Sequence, residues 1–414
     1  MAPIHPAVRF LFSLGLLAAA TPCTWAADFQ FAPALTVSEE YNDNVLGTEG
    51  AKLTDYITRV QPGLGLVYQG PKFKGDLRYS FDYRTYARAT RKDETYHYLN
   101  LHGSADLKEF LYLDISDSLS RVSLDSRRPD VITESSFLNQ VTQNVASGSP
   151  YLVWHPVDKG VLRTGYRFTD TSYWGGGTVE KRSHLLFTDL THQTSERLGL
   201  NAGYTYARVR TSLGGYQQHD VTAGARYEYA AKSFLFGGLG NSWQELNGGD
   251  EVSSLTWNAG LTHTFGQAVA TVETRVSFIE DPQSISTKET GYYASLSRTL
   301  EHGALALGAS YSEDREMRTG VLRKKGALNA SGSYEVSPHL MANLALTADR
   351  VNRVSLDDLP YHLNANAGLS YAFNYGLTLA LGYSYVEYRK SIDDVSGARQ
   401  TNRVSLELRQ VLPK

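Results

Sequence analysis

Ten charged residues are the chain's first candidates for chemistry: Lys74, Asp76, Arg78, Asp82, Arg84, Arg163, Arg167, Arg226, Glu273 and Arg275. In the stretch Lys74-Gly-Asp-Leu-Arg-Tyr-Ser-Phe-Asp-Tyr-Arg84 every charge falls on an even position, with Leu77, Tyr79, Phe81 and Tyr83 between them. A strand with that period presents its charges on one face and its apolar groups on the other. Both signs share the charged face, so the chemistry on offer is a transverse field that screens solutes. The same spacing equally fits a solvated wall whose opposite charges pair across strands. A channel specific for anions would show one sign. Asp76 and Arg78 are expected at the narrow zone of such a wall.

Six aromatic residues, Tyr86, Tyr96, Tyr98, Tyr112, Tyr173 and Trp174, offer a second chemistry: a flat ring covers the CH face of a pyranose. They equally suit an interfacial girdle, where tyrosine and tryptophan gather. Catalysis has little to draw on, because the chain contains no Gly-x-Ser-x-Gly, no His-Glu-x-x-His and no phosphate loop. A rim-borne hydrolase would have to enlist His97, His184, His219 or His263. The eleven histidines, however, are scattered without pairs at i and i+2 or i+4. Asn42, Asp43, Asn44 and Glu49 are oxygen ligands of the kind Ca²⁺ takes, without the spacing of a calcium loop, and a solvated loop is the reading preferred. No catalytic, cofactor or metal site is expected.

The elements that must carry these residues are clearest in the last hairpin, Leu377 to Leu412. Leu377, Leu379, Leu381, Tyr383 and Tyr385 alternate with Thr378, Ala380, Gly382 and Ser384, and Val404, Leu406 and Leu408 alternate with Ser405, Glu407 and Arg409. An aliphatic band tipped with tyrosine and backed by a polar face is the pattern of an outer-membrane barrel strand. Repeated along the chain, it predicts an all-β, antiparallel up-and-down transmembrane barrel of about 20 strands, within 18 to 22, over residues 28 to 412. Tyr151, Phe234 and Leu186 sit where the facing is ambiguous. Short connections are expected at Gly70-Pro71, Lys108-Glu109, His155 to Asp158, Ser195-Glu196, Ala231-Lys232, Gly266-Gln267, Glu301-His302, Ser337-Pro338 and Asn374-Tyr375. Longer ones are expected at Asn42 to Gly50, Ala89 to Glu94, Arg121 to Phe137, Gly175 to Gly177, Gly214-Gly215, Gly248-Gly249, Asp281-Pro282, Arg315 to Lys325, Asn352 to Pro360 and Ile392 to Gln400. Outer-membrane barrels alternate in this way, with the short turns on the periplasmic side. The Arg121 to Phe137 connection is long enough to fold into a pore.

Composition agrees. The mean hydropathy of -0.33 fits membrane strands with one polar face, and no run of 18 apolar residues follows the N-terminal segment. Residues 1–26 read as a cleaved signal peptide, with Arg9 before the apolar run Phe10 to Ala20 and Thr24-Trp25-Ala26 at the cleavage site. Residues 27–414 then form a single domain. Cleavage discards Cys23, the only cysteine, and with it any disulfide or thiolate chemistry. It also removes one arginine, leaving 39 basic against 43 acidic residues. With no basic stripe, nucleic acid is excluded as a partner.

The N-terminal quarter is more specific. Leu35-Thr-Val-Ser-Glu-Glu-Tyr-Asn-Asp-Asn-Val45, Asp55-Tyr-Ile-Thr-Arg-Val-Gln-Pro-Gly-Leu64 and Gly70-Pro-Lys-Phe-Lys-Gly-Asp-Leu-Arg-Tyr-Ser-Phe-Asp-Tyr83 resemble the opening of the PEP-CTERM (exosortase) system-associated outer-membrane proteins, which are similar to β-barrel porin families. The likeness covers residues 31 to 125, and strand rhythm alone continues beyond. It implies a bacterial outer-membrane barrel encoded beside exopolysaccharide and protein-sorting machinery, with a part in making or exporting extracellular matrix. It carries over no catalytic residue. The end, Gln410-Val-Leu-Pro-Lys414, lacks the terminal aromatic usual in barrels and read by the assembly machinery, which leaves open either the register of the last strand or how standard its assembly signal is.

The expected function is passage or secretion of surface polysaccharide through a water-accessible lumen. A general diffusion porin and a non-conducting surface scaffold or adhesin remain as alternatives. The partners implied are outer-membrane lipid, the barrel assembly machinery, polysaccharide and periplasmic export components. Aromatic tracks through the lumen would favour sugar passage, a charged constriction alone the porin, and an occluded bore the scaffold.

Overall fold

The structure, a computed structural model, describes residues 27–124, 140–246, 251–279, 282–283, 286–352, 359–391 and 398–412. Twenty strands account for most of them. They are β1 (Asp28–Asn42), β2 (Asp55–Gln69), β3 (Phe73–Tyr86), β4 (Glu94–Lys108), β5 (Leu111–Ser123), β6 (Gln140–Trp154) and β7 (Gly160–Trp174). Then come β8 (Lys181–Gln193), β9 (Leu198–Thr211), β10 (Gly214–Ala230), β11 (Ser233–Leu246), β12 (Glu251–Phe265), β13 (Ala268–Ile279) and β14 (Thr287–Leu300). The last six are β15 (Gly303–Glu316), β16 (Leu322–Ser337), β17 (Leu340–Val351), β18 (Tyr361–Ala372), β19 (Leu377–Arg389) and β20 (Arg399–Val411). Each pairs antiparallel with the next, and β20 pairs with β1, so the sheet closes on itself as an up-and-down barrel without free edges. No helix among the described residues is long and apolar enough to cross a membrane. The register that was open at the last strand is regular, from Leu377 opposite Gln410 to Ser384 opposite Arg403.

Pairing fixes which side chains share a face. Leu406 lies beside Leu381 on one flank and Glu39 on the other, and Leu381 lies beside Leu369. Followed round the barrel, this face carries exposed Phe31, Leu200, Leu239, Val272, Leu307 and Leu344. It is the outer wall, since polar groups there would lack partners in lipid. On the same wall Leu77, Leu99 and Leu101 pack together against Leu64, Leu66, Tyr79 and Leu119. Of the residues with ambiguous facing, Leu186 joins the outer wall beside Tyr166 and Tyr206, while Tyr151 and Phe234 take the inner parity.

Three expected connections are shorter than the sequence suggests. Arg121 belongs to β5, which runs on to Ser123. Gly214 and Gly215 open β10, leaving residues 212–213 as a tight turn. Gly214 adopts φ 128°, a conformation costly for other residues, and the Thr211 hydroxyl donates to its carbonyl at 2.7 Å. The charged Arg315 to Lys325 stretch is mostly strand: Glu313 opposes Lys324 with an ion pair of 2.7 Å, so cross-strand pairing accommodates charges that looked like a loop. The expected signal peptide at residues 1–26, residues 125–137 of the longest expected connection, Gly248-Gly249, Asp281, and residues 353–358 and 392–397 lie outside the described residues.

At the rim with the longer connections, the first loop fastens the seam between β1 and β20. Asp43 accepts from the Asn402 backbone at 2.7 Å and from its side-chain amide at 2.8 Å, and its own amide donates to the Asn402 carbonyl. Asn44 donates to the Gln400 carbonyl at 3.0 Å and to the Thr48 carbonyl at 2.9 Å. Glu49 faces Lys390 and Arg399 at 3.9 and 3.7 Å. These oxygens close the barrel and are engaged with protein groups. Nearby, the Tyr83 hydroxyl donates to Asp93 at 2.7 Å and holds that carboxyl below its usual range.

Candidate functional site in the lumen

All ten sequence-derived charges fall on the inner parity, and the strands bring them together in four groups. On β3, Arg78 reaches Asp76 at 3.1 Å, with three-quarters of its side chain exposed, nearer the short-turn rim. Asp82, fully buried, is gripped from two sides. Arg59 of β2 approaches through Nε and Nη2 at 2.7 Å each, and Arg84 approaches at 2.8 Å. Arg163 pairs with Asp114 of β5 at 3.3 Å. Arg275 lies 3.8 Å from Glu273 and 3.4 Å from Glu289 of β14. Seven of the ten are therefore ion-paired. Lys74, Arg167 and Arg226 make no ion pair among the described residues.

Aromatic rings stand against the same arginines. The Arg163 guanidinium lies 3.8 Å above the Tyr151 ring and 5.4 Å from Phe187, which Arg167 also approaches at 5.8 Å. Tyr151 itself stacks on Tyr112, with centroids 5.3 Å apart and planes at 16°. Arg226 covers Phe234 at 3.8 Å and Arg275 covers Tyr293 at 4.6 Å. Such contacts hold a guanidinium over a ring on the wall while leaving its N–H groups able to donate. Of the six candidate aromatics, Tyr86, Tyr96, Tyr98, Tyr112 and Tyr173 take the inner parity, whereas Trp174 opposes Thr142 on the outer one.

Sequence reading missed the partners. Arg59, Asp114 and Glu289 all sit at inward positions of alternating strands, and that parity was the available signal. Pairing them with Asp82, Arg163 and Arg275 requires the register. The structure also gives the four enlisted histidines a different place. His97, His184, His219 and His263 lie on the outer wall, each ring Nδ1 hydrogen-bonded to a tyrosine hydroxyl: Tyr79 and Tyr166 at 2.7 Å, Tyr204 at 2.9 Å and Tyr229 at 2.7 Å. Two of the pairs are near copies: Phe81 on His97 and Phe168 on His184 both have centroids 5.2 Å apart at 52°. Spread over several strands, these histidines do not assemble into a shared site; they extend the aromatic girdle.

A closed wall with an apolar outside and a polar inside is what a lipid bilayer demands of strands. The chain has the fold of an outer-membrane β-barrel. Solved structures agree. The siderophore receptor PirA from Pseudomonas aeruginosa is similar at a TM-score of 0.51 with 10% identity, over 92% of this chain and 80% of that one. The FrpB iron transporter from Neisseria meningitidis is similar at 0.56 with 9% identity, over 92% and 81%. The copper transporter OprC is similar at 0.55 with 12% identity, over 93% and 80%. At these identities the likeness is one of architecture. No protein-family model matches the chain, and no curated protein matches it significantly.

Proposed function

We propose that this outer-membrane barrel, delivered by its signal peptide, is a water-filled passage for hydrophilic saccharide, serving export of extracellular matrix polysaccharide in an exosortase-linked setting. The observation that carries the reading is the make-up of the inner wall. Its charges are largely neutralised in pairs, and its arginines stand over rings, as Arg163 does over Tyr151, which stacks on Tyr112. Pairing of both signs weakens the preference for either ion, leaving the cations Lys74, Arg167 and Arg226, and guanidinium N–H groups held over the rings can donate to sugar hydroxyls. Barrels of 16–18 strands leave an aqueous channel and those of 22 hold a plug. Twenty strands alone decide neither, and the polar wall favours water. The exosortase setting rests on the resemblance of residues 31 to 125.

The test is conductance of the refolded full-length barrel in a planar bilayer, with and without neutral and acidic oligosaccharides. An open conductance reduced by oligosaccharide is expected. A conducting barrel indifferent to sugar would instead identify a general diffusion porin, and a silent one a surface scaffold.

A further inference from the structure

The inner wall between β17 and β1 contains a recess of about 330 Å³, at the lower end of the range of ligand pockets. Its floor is a pair of glycines set side by side, Gly368 of β18 opposite Gly382 of β19. Along that row Gly368 is flanked by Asn343 and Gly382 by Ser405, which in turn opposes Glu40. The rows on either side bring Asn366, Ser384 and Arg403 above the floor and Ser370, Ala380 and Glu407 below it.

The glycines let neighbouring polar side chains lie low across the floor. A Cβ on Gly368 would come within 2.4 Å of the Asn343 Oδ1, and one on Gly382 within 2.7 Å of the Ser405 hydroxyl. Neither glycine has a positive φ, so it is space and not backbone freedom that these positions use. The side chains around the floor supply both sides of a hydrogen-bond network. Arg403 donates to the Ser384 hydroxyl at 2.7 Å, and the Asn366 amide donates to Asn364 at 2.8 Å. Glu407 makes no hydrogen bond or ion pair among the described residues, and its carboxylate is a ready acceptor.

We propose that this recess binds one hexose unit lacking a carboxylate, presented by a saccharide in the lumen. The proposal rests on the passage reading above and names its substrate class. The floor, low at Gly368, Gly382 and Ala380 and carrying the Asn343 amide and the Ser405 hydroxyl, leaves room for one pyranose, and the amides, hydroxyls and charged groups around it meet the sugar hydroxyls. Two carboxylates, Glu40 and Glu407, face one guanidinium, Arg403. That excess of negative charge disfavours a uronic acid and accepts a neutral or amino sugar.

The test is isothermal calorimetry on the detergent-solubilised full-length barrel, using a neutral gluco-oligosaccharide and an oligogalacturonate, run beside bilayer conductance. The neutral sugar is expected to bind, with at least about tenfold weaker affinity in Gly382→Leu, where the added side chain fills the floor. Glu407→Gln keeps the shape and removes the charge, and should weaken binding by about threefold or more. It reads the site even if Gly382→Leu does not fold. Unchanged affinity in Glu407→Gln, equal binding of the acidic sugar, or no binding by the wild type overturns the proposal. Calorimetry needs no flow, so a barrel that conducts but does not bind refutes the recess alone. One that binds but stays silent in the bilayer supports the recess and refutes the passage.

Discussion

Replacing Asp82 with alanine should destabilise the barrel far more than replacing Asp76, although both are lumen carboxylates paired to arginine. Asp82 has no exposed side-chain surface and is held by both Arg59 and Arg84, and Arg84 keeps only 11% of its side chain exposed. Removing one partner of a buried pair costs about 3–5 kcal/mol, because the remaining charge stays desolvated. Arg59 is 34% exposed and can recover part of its hydration, which brings the expectation for Asp82→Ala to about 2–4 kcal/mol. Asp76 is 39% exposed and its partner Arg78 is 76% exposed, so Asp76→Ala should cost only about 0–1 kcal/mol. Urea unfolding from lipid vesicles, followed by tryptophan fluorescence, measures both; urea is chosen because it does not screen ion pairs. If the two variants lose stability equally, burial does not set the strength of these pairs and the reasoning fails. In a conducting barrel, Asp82→Ala would also leave two guanidinium groups uncompensated and shift the reversal potential toward anions.

Two further outcomes follow from hydrogen bonds on the outer wall and at the seam. Tyr79→Phe and Tyr166→Phe each remove a hydroxyl bonded to a histidine in nearly the same geometry, so each should cost about 0.5–1.5 kcal/mol by the same unfolding assay. Costs that differ by more than that whole range would show the two pairs to be unlike. Asp43→Ala removes two bonds to Asn402 and should speed hydrogen exchange of the Asn402 amide while leaving strands remote from the seam protected. Unchanged exchange at Asn402 would mean that β1 and β20 are held by their ladder alone.

The barrel is legible in the sequence because facing depends only on parity. Once Leu377, Leu379 and Leu381 alternate with Thr378, Ala380 and Gly382, the face of every inward charge follows, and the ten candidates share it. Connections are less legible, since a glycine pair such as Gly214-Gly215 marks either a long loop or the tight turn found here. The local groupings were not legible at all. Arg163 meets Asp114 across 49 positions, Asp82 meets Arg59 across 23, and each contact depends on register and on strand order. The histidines show the same limit from the other side. His97 and His184 have no histidine neighbour at i+2 or i+4, but each lies 18 residues from its tyrosine, a separation set by one hairpin.

The inner wall is not uniform round its circumference, and that asymmetry bears on the proposed passage. From β2 to β8 it carries charge and rings: Arg59, Asp82, Asp114, Tyr151, Arg163 and Phe187. From β15 to β19 the inward positions below the long-loop rim are small and uncharged, as in Ala306, Gly308 and Ser310, then Asn329 and Ser331, then Asn364, Asn366, Gly368 and Ser370. Small side chains leave that arc less crowded than the charged one. If the barrel passes saccharide as proposed, a neutral polymer beside this arc would meet amides and hydroxyls that exchange one hydrogen bond for another without the desolvation cost of a charge. A charged polymer would be drawn instead toward the opposite arc, where most partners are already engaged with one another. Replacing several of the small residues with leucine should therefore slow neutral sugars more than small ions, whereas neutralising the charged arc should do the reverse.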